Sequence, residues 1–385
     1  KVYLTRGWNF NNSLGGGQDD FNKALTYADK VIADYPLVQN YKNLFPIRSE
    51  NPLTQYTGQQ DARNSEVVFA IQYNDDVLTN ANEGDNREPG NYYHSIFPGN
   101  GELVGSNGRT SDYNRNLAQN EPTPSLYRMF DPQLDVRYSH NFLRVIYALQ
   151  PVNNYAYSFE DPNLTVSYEI GDTVAYWTPW NQPAYGADKG IDEGGSKKYA
   201  VMNHEQIISG VAISRLTATR PSMWKFWEPN IPYGDGYGTF DFALFRSAEA
   251  YLLAAEAIVK GASGGALGSA DVYYNKVLDR SVGEGVNPQK AKFPEILSSL
   301  ETESYRATPS TISIDMILDE SARELMGEFN RWFDLKRTEK LIERTEKYNF
   351  WTKANGNLSE MHLLRPIPQH EIDRSQPSIS QNPGY

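Results

Sequence analysis

Cysteine is absent from all 385 residues, which removes disulfides, thiolate nucleophiles and cysteine-ligated zinc together and leaves the compartment open. Long apolar runs are missing as well. No stretch approaches the roughly 20 residues that a membrane-crossing helix requires, and Lys1 opens the chain without a methionine or a signal-peptide pattern. Positive charge is in short supply: 36 Lys and Arg stand against 48 Asp and Glu, for a net charge of −12, and nowhere do the cations form a block. Nucleic-acid binding relies on clustered Lys and Arg that release counterions from phosphates, so that class of partner is excluded. Histidine is sparse and scattered, at His94, His140, His204, His362 and His370. No two of these stand at i, i+4 and no His-x-x-Glu-His pattern occurs, so neither a metal centre nor a cofactor is expected.

Signals for catalysis are equally thin. GASGG, at 261–265, matches the G-x-S-x-G elbow, but that motif needs a strand before it and a helix after it; here a long helical pattern precedes it, and a turn is expected. Glycoside hydrolysis needs two carboxylates about 5 to 9.5 Å apart. With 48 acidic residues some pair can always be proposed, so the abundance carries no information, and no enzyme is expected.

What the chain does have is aromatic surface and helical periodicity. Aromatics make up 13%, including 26 Tyr and 7 Trp, and rings with one flat apolar face and one polar tip suit wet recognition surfaces as well as cores. Residues 1–36 are expected to form a first helical hairpin. In QDDFNKALTYADKVIADYP the residues Phe21, Leu25, Ala28, Ile32 and Tyr35 fall on one face, Asp19 and Asp20 suit the N-terminus, and Pro36 stops the helix. The small residues Ala24 and Ala28 are of the kind used in tetratricopeptide packing, whose period is about 34 residues. From 37 to 239 the texture becomes short β-like runs between long loops rich in Asn, Gly, Pro and Tyr, and loops of such length are usually functional. Helical periodicity returns over 240–345. TFDFALFRSAEAYLLAAEAIVKG sets Leu244, Ala248, Tyr251, Ala255 and Ile258 on one stripe, and ADVYYNKVLDRS supplies its partner helix. A third block carries Glu320, Glu324 and Glu328, which repel one another on a helix unless cations intervene. Arg323, Arg331 and Arg337 are the expected counter-charges. The proline-rich residues 346–385 read as an extended C-terminal strap.

FRSAEAYLLAAEA (245–257), ADVYYNKVLDRS (270–281), ESARELMGEFNRWFDLKR (320–337) and LLRPIPQHEI with the closing QNPGY occur in that order. Together with YADKVIADYPLVQNYKNLF, NSEVVFAIQY and PTPSLYRMFDPQLDVRY they resemble the SusD/RagB family of outer-membrane nutrient-binding lipoproteins; residues 139–220 match least. The resemblance implies a single, mainly α domain in which a tetratricopeptide-like helical-hairpin scaffold carries a large irregular insertion with the ligand site. It also implies a non-catalytic protein on the extracellular face of the outer membrane. Such a protein captures glycans, or peptides in some members, and hands them to a SusC-like TonB-dependent transporter. Family members carry a signal peptide, an acylated cysteine and further helices ahead of the matching point, so an N-terminal part with its lipid anchor is expected to precede Lys1.

The loop AYWTPWNQPAYGADKG (175–190) is the most promising recognition element. Trp177 and Trp180 flank a proline, Tyr176 and Tyr185 stand beside them, and Asn181 and Gln182 offer amide donors and acceptors. A sugar presents an apolar C–H face and a rim of hydroxyls, which such a set can match; the same rings could equally cap a core. RPSMWKFWEPNIPYGDGYG (220–238) holds Trp224, Phe226, Trp227 and Tyr233, with the first two on one face if it is a strand, and core packing is the expectation there. Tyr92, Tyr93 and Arg109 form a weaker rim candidate. Nothing in the sequence separates a glycan from a peptide ligand, and a secreted glycoside hydrolase is the rival class.

Overall fold

The computed structural model describes residues 1–45, 64–73, 90–97, 113, 120, 122–132, 134–156, 165–180, 199–202, 222–228, 238–282 and 306–385. The architecture is mainly α, a scaffold of tetratricopeptide-like helical hairpins to which short strands are added. Its main helices are α1 (Val2–Trp8), α2 (Gln18–Asp34), α3 (Ser247–Val259), α4 (Ala270–Val282), α5 (Ile314–Glu324), α6 (Arg331–Arg337) and α7 (Leu341–Tyr348). Among the described residues no helix is long and apolar enough to cross a membrane.

Helix α3 is the centre of the scaffold and packs against α2, α4 and α5. Its alanines make this possible: Ala248, Ala254, Ala255 and Ala257 are wholly buried, and a methyl side chain lets neighbouring helices approach closely without losing side-chain entropy. Phe21, Leu25 and Ala28 of α2 enter the same core with Leu4, Tyr273, Val277 and Ile317. Helix starts are satisfied locally. The Asp20 carboxylate accepts the Gly17 N–H at 3.2 Å, and the Ser313 hydroxyl accepts the Met316 N–H at 3.2 Å, each relieving an orphan donor of a first turn.

Among the described residues nine short strands, β1 (Val67–Ile71), β2 (Phe142–Leu143), β3 (Val145–Tyr147), β4 (Val152–Ala156), β5 (Thr165–Tyr168), β6 (Thr173–Trp177), β7 (Ala200–Met202), β8 (Ser222–Met223) and β9 (Phe242–Arg246), form small separate sheets. Strand β9 corrects the expected helical stripe at its first position. Leu244 lies in an antiparallel pair with β1, and the helix begins only at Ser247. The pairing has a purpose at its end, because it delivers Arg246 into a buried cluster of charges.

That cluster also corrects the expected counter-charges of the three glutamates. Glu324 meets Arg280 at 2.6 Å, Arg246 at 3.0 Å and Arg137 at 3.0 Å. Glu320 takes Arg137 and its neighbour Arg323, and Glu328 takes Lys225 and Arg246. Arg337 turns instead to Glu256, and Arg331 pairs with neither Glu320, Glu324 nor Glu328. With Glu66 and Asp135 included, five carboxylates face five cations among the described residues. Helix periodicity reveals which charges share a face, whereas these partners arrive from distant segments of the chain.

The closing residues turn back on themselves. The Gln381 side chain bonds both the N–H and the carbonyl of Ile367 at 2.7 and 2.8 Å, and the Tyr385 hydroxyl donates to the Leu364 carbonyl at 3.0 Å. Leu363 packs on Leu318, Leu335 and Leu341, while Arg365 covers the Trp332 ring. Gly384 is required by this turn: its φ is +95° and a Cβ there would sit 2.7 Å from Met361 Cβ.

Candidate functional site

Strand β6 carries the first of the expected ligand-binding rings. It is the middle strand of its sheet, antiparallel to β3 and parallel to β7, so alternate side chains leave it on opposite faces. Both faces are covered. Tyr176 packs with Val145, Tyr147 and Tyr199 on one side. Trp177 packs with Leu143, Ile146, Tyr168, Trp224 and Trp227 on the other, and each of the two rings is only 1% exposed. A stacking platform needs an open ring face, so Tyr176 and Trp177 are floor rather than platform in this structure. Trp180, three residues beyond the strand, is half-buried, with its indole N–H donating to the Phe130 carbonyl at 2.8 Å. Asn181, Gln182 and Tyr185 lie outside the described residues, as do Arg109 and Tyr233.

The described residues 223–228 are core, though in a conformation that differs from the expected strand. Among the described residues of the segment only Ser222–Met223 pairs as β8. A turn follows, closed by the Trp227 N–H on the Trp224 carbonyl at 2.9 Å, and it stacks Trp224 on Trp227 with ring centres 4.3 Å apart. The i, i+2 spacing of Trp224 and Phe226 suits a strand and the i, i+3 spacing of the two indoles suits a turn, and pattern alone does not choose between them.

A groove of about 430 Å³ opens close to Trp180. One wall runs from Asn120 through Thr123, Ser125 and Leu126 to Met129, next in sequence to the Phe130 that holds the Trp180 indole. The facing wall is the end of α5 and the residues after it, Ser321 to Arg331, with Tyr93, Phe97 and Tyr348 closing the ends. The volume lies within the roughly 300–1,000 Å³ of small-molecule clefts, which are mostly apolar with a few convergent polar groups.

Backbone geometry shapes that second wall. Gly327 has φ +78°, and a Cβ there would come within 2.6 Å of Phe226. Phe329 has φ +62°, a left-handed conformation costly for a bulky aromatic, and its ring is 60% exposed. The Tyr93 hydroxyl pins the corner by donating to the Gly327 carbonyl at 2.6 Å, and its ring meets Phe329 edge-on at 5.1 Å. Burial pushes the Tyr93 phenol up, with Glu328 adding to the shift, so it stays a donor at neutral pH. Sequence reading places Arg331 in the scaffold ion network and passes over Phe329. The one signal available was the Gly-Glu-Phe-Asn run after a helix, because a turn signal followed by an aromatic marks a ring displayed at a corner. Among the described residues no group of three or more His, Asp or Glu side chains is placed to hold a metal ion.

Scaffold hairpins with small appended sheets define a tetratricopeptide-like helical architecture. The model of the SusD family matches residues 65–385, and the chain belongs to that family. It is 27% identical over 176 residues to the SusD-like protein P2 of Formosa agariphila, a match covering 45% of this chain and 32% of that one. Among solved structures, a SusD homolog from Bacteroides thetaiotaomicron superposes with a TM-score of 0.54 at 17% identity, covering 100% of this chain and 62% of the other. Surface glycan-binding protein A of the same organism gives 0.50 at 18% identity, covering 95% and 60%. The chain therefore spans about three fifths of the length of these solved relatives.

Proposed function

We propose that the chain is a nutrient-binding protein that captures oligo- or polysaccharides and passes them to a SusC-like TonB-dependent transporter. In this reading it is held at the extracellular face of the outer membrane by an upstream lipid anchor and performs no chemistry. The observation that carries the proposal is the match to the SusD family over residues 65–385, and a solved protein of the same fold bears the name surface glycan-binding protein A. The groove supports it as a cleft in which aromatic rings and hydroxyl or amide groups converge. Trp180, with Asn181 and Tyr185 following it in the sequence, is the proposed contact outside the groove.

Calorimetry against a panel of neutral and acidic oligosaccharides tests the reading, with short peptides as the contrasting arm. Binding of saccharides without release of new reducing ends is the expected result; sustained turnover would make the protein a hydrolase, and binding of peptides alone would replace the ligand class. Trp180→Ala should weaken glycan binding several-fold, since an aromatic contact contributes about 0.5–1.5 kcal/mol. Unchanged affinity in that variant would remove Trp180 from the site. For the transporter, the protein extracted from native membranes in mild detergent should co-purify with a β-barrel partner; recovery alone and in quantity would speak against delivery.

A further inference from the structure

The groove beside Trp180 has a charge that the glycan reading alone does not explain. In a protein of net charge −12, none of the described residues that line the groove is acidic, and the charged side chain among these described residues is Arg331. Its Nη1 donates to the Leu318 carbonyl at 2.6 Å, and among the described residues it forms no ion pair. The nearby carboxylates are already committed, Asp319 to Arg344 at 2.6 Å and Asp334 to Arg337 at 2.8 Å. Burial, with the neighbouring Arg344, lowers the Arg331 pKa to about 10, so the group is still a cation at neutral pH. At the same end of the groove, Arg344 and Lys347 both approach the Tyr348 ring. A half-buried guanidinium without a carboxylate is costly, and a planar fork of N–H donors matches a carboxylate in two-point geometry. Lining the same groove as this cation and the exposed Phe329 are the apolar side chains of Leu126 and Met129 and the hydroxyls of Thr123 and Ser125.

Resting on the glycan reading above, we propose that the groove receives a uronic acid unit of the captured glycan. Its carboxylate pairs with Arg331, its C–H face lies against Phe329, and its hydroxyls reach the Thr123 and Ser125 wall. The neutral remainder of the chain then continues past Met129 toward Trp180.

The probe is tri-galacturonate, compared with its methyl ester, which keeps the ring and the hydroxyls but has no charge, and with a neutral oligosaccharide panel. The acid should bind the full chain about tenfold or more tightly than the ester, the range expected for a hydrogen-bonded charge, and its advantage should shrink as salt is raised. Arg331→Gln should weaken the acid far more than the ester and so collapse the difference between them. Phe329→Gly, which is relaxed at positive φ, should weaken both several-fold and preserve the ratio. Equal binding of acid and ester by the unaltered protein overturns the inference and leaves glycan capture standing, as does binding of neutral saccharides alone. If no saccharide binds, both readings fall. A peptide whose free C-terminal carboxylate binds in an Arg331-dependent way, with no saccharide competing, replaces the sugar.

Discussion

The scaffold and the sheets attached to it solve the same packing problem with different materials. Around α3 the core is built of alanine, leucine and valine, with few rings, and what fixes the helices relative to one another is charge: Glu256, for example, joins the Trp8 indole at 2.8 Å and the Arg337 guanidinium at 2.9 and 2.8 Å. Around β3, β6 and the 222–228 turn the core is aromatic, with Tyr113, Tyr168, Trp177, Trp224 and Trp227 in one cluster. Strands of two to five residues supply few ladder hydrogen bonds, and large rigid rings with high buried area compensate for them. The comparison teaches that the buried rings of the sheet region substitute for regular secondary structure.

Mutations should separate the two materials. Glu324→Ala should be the most damaging change, at the upper end of about 3–5 kcal/mol, because it removes the carboxylate shared by Arg137, Arg246 and Arg280 and leaves the buried cluster with an uncompensated positive charge; chemical denaturation would show it, and a loss below about 1 kcal/mol would mean that the network is decorative. The same network predicts acid sensitivity. Burial pushes the Glu324 and Glu328 carboxyls up, but the adjacent Arg and Lys groups outweigh it and hold both below the ordinary 4.5. Folded values below unfolded ones mean stability that is complete above about pH 4.5 and is lost as the pH falls through the folded values, so melting temperature should drop on acidification from there. On the aromatic side, Trp177→Ala should cost about 3–5 kcal/mol, whereas Trp180→Ala should cost about 1 kcal/mol or less, since its ring is only half-buried. Comparable losses at both positions would erase the distinction between floor and margin. Gly384→Ala should also cost about 1 kcal/mol, from the positive φ and the Met361 contact, seen as loosening of the closing turn in hydrogen exchange.

The helical scaffold was readable because its signals are local. Phe21, Leu25 and Ala28 recur at helical spacing, Asp20 stands where a first turn wants an acceptor, and the ordered blocks from 245 to 337 resemble one family. Trp177 shows where such reading stops. A Trp-x-x-Trp pair beside amides has the composition of a sugar platform, yet whether a ring faces water depends on its strand being central, and strand order is set by β3 and β7, which are far from it in sequence. Arg331 was legible as a cation near three glutamates but misplaced, because the carboxylates were taken by Arg246 and Arg280 from other helices and strands. Charge pairing across a fold leaves no periodicity behind.

The balanced cluster of five carboxylates and five cations has a kinetic side. Its members come from at least six separated stretches, around Glu66, Asp135 and Arg137, Lys225, Arg246, Arg280, and Glu320 to Glu328. Any one stretch docking ahead of the others would carry a bare charge into an apolar interior. Partial assemblies are thus penalised until the last partners arrive, and the scaffold with its attached strands should condense in a single concerted step, with local opening of any one stretch as improbable as unravelling the whole.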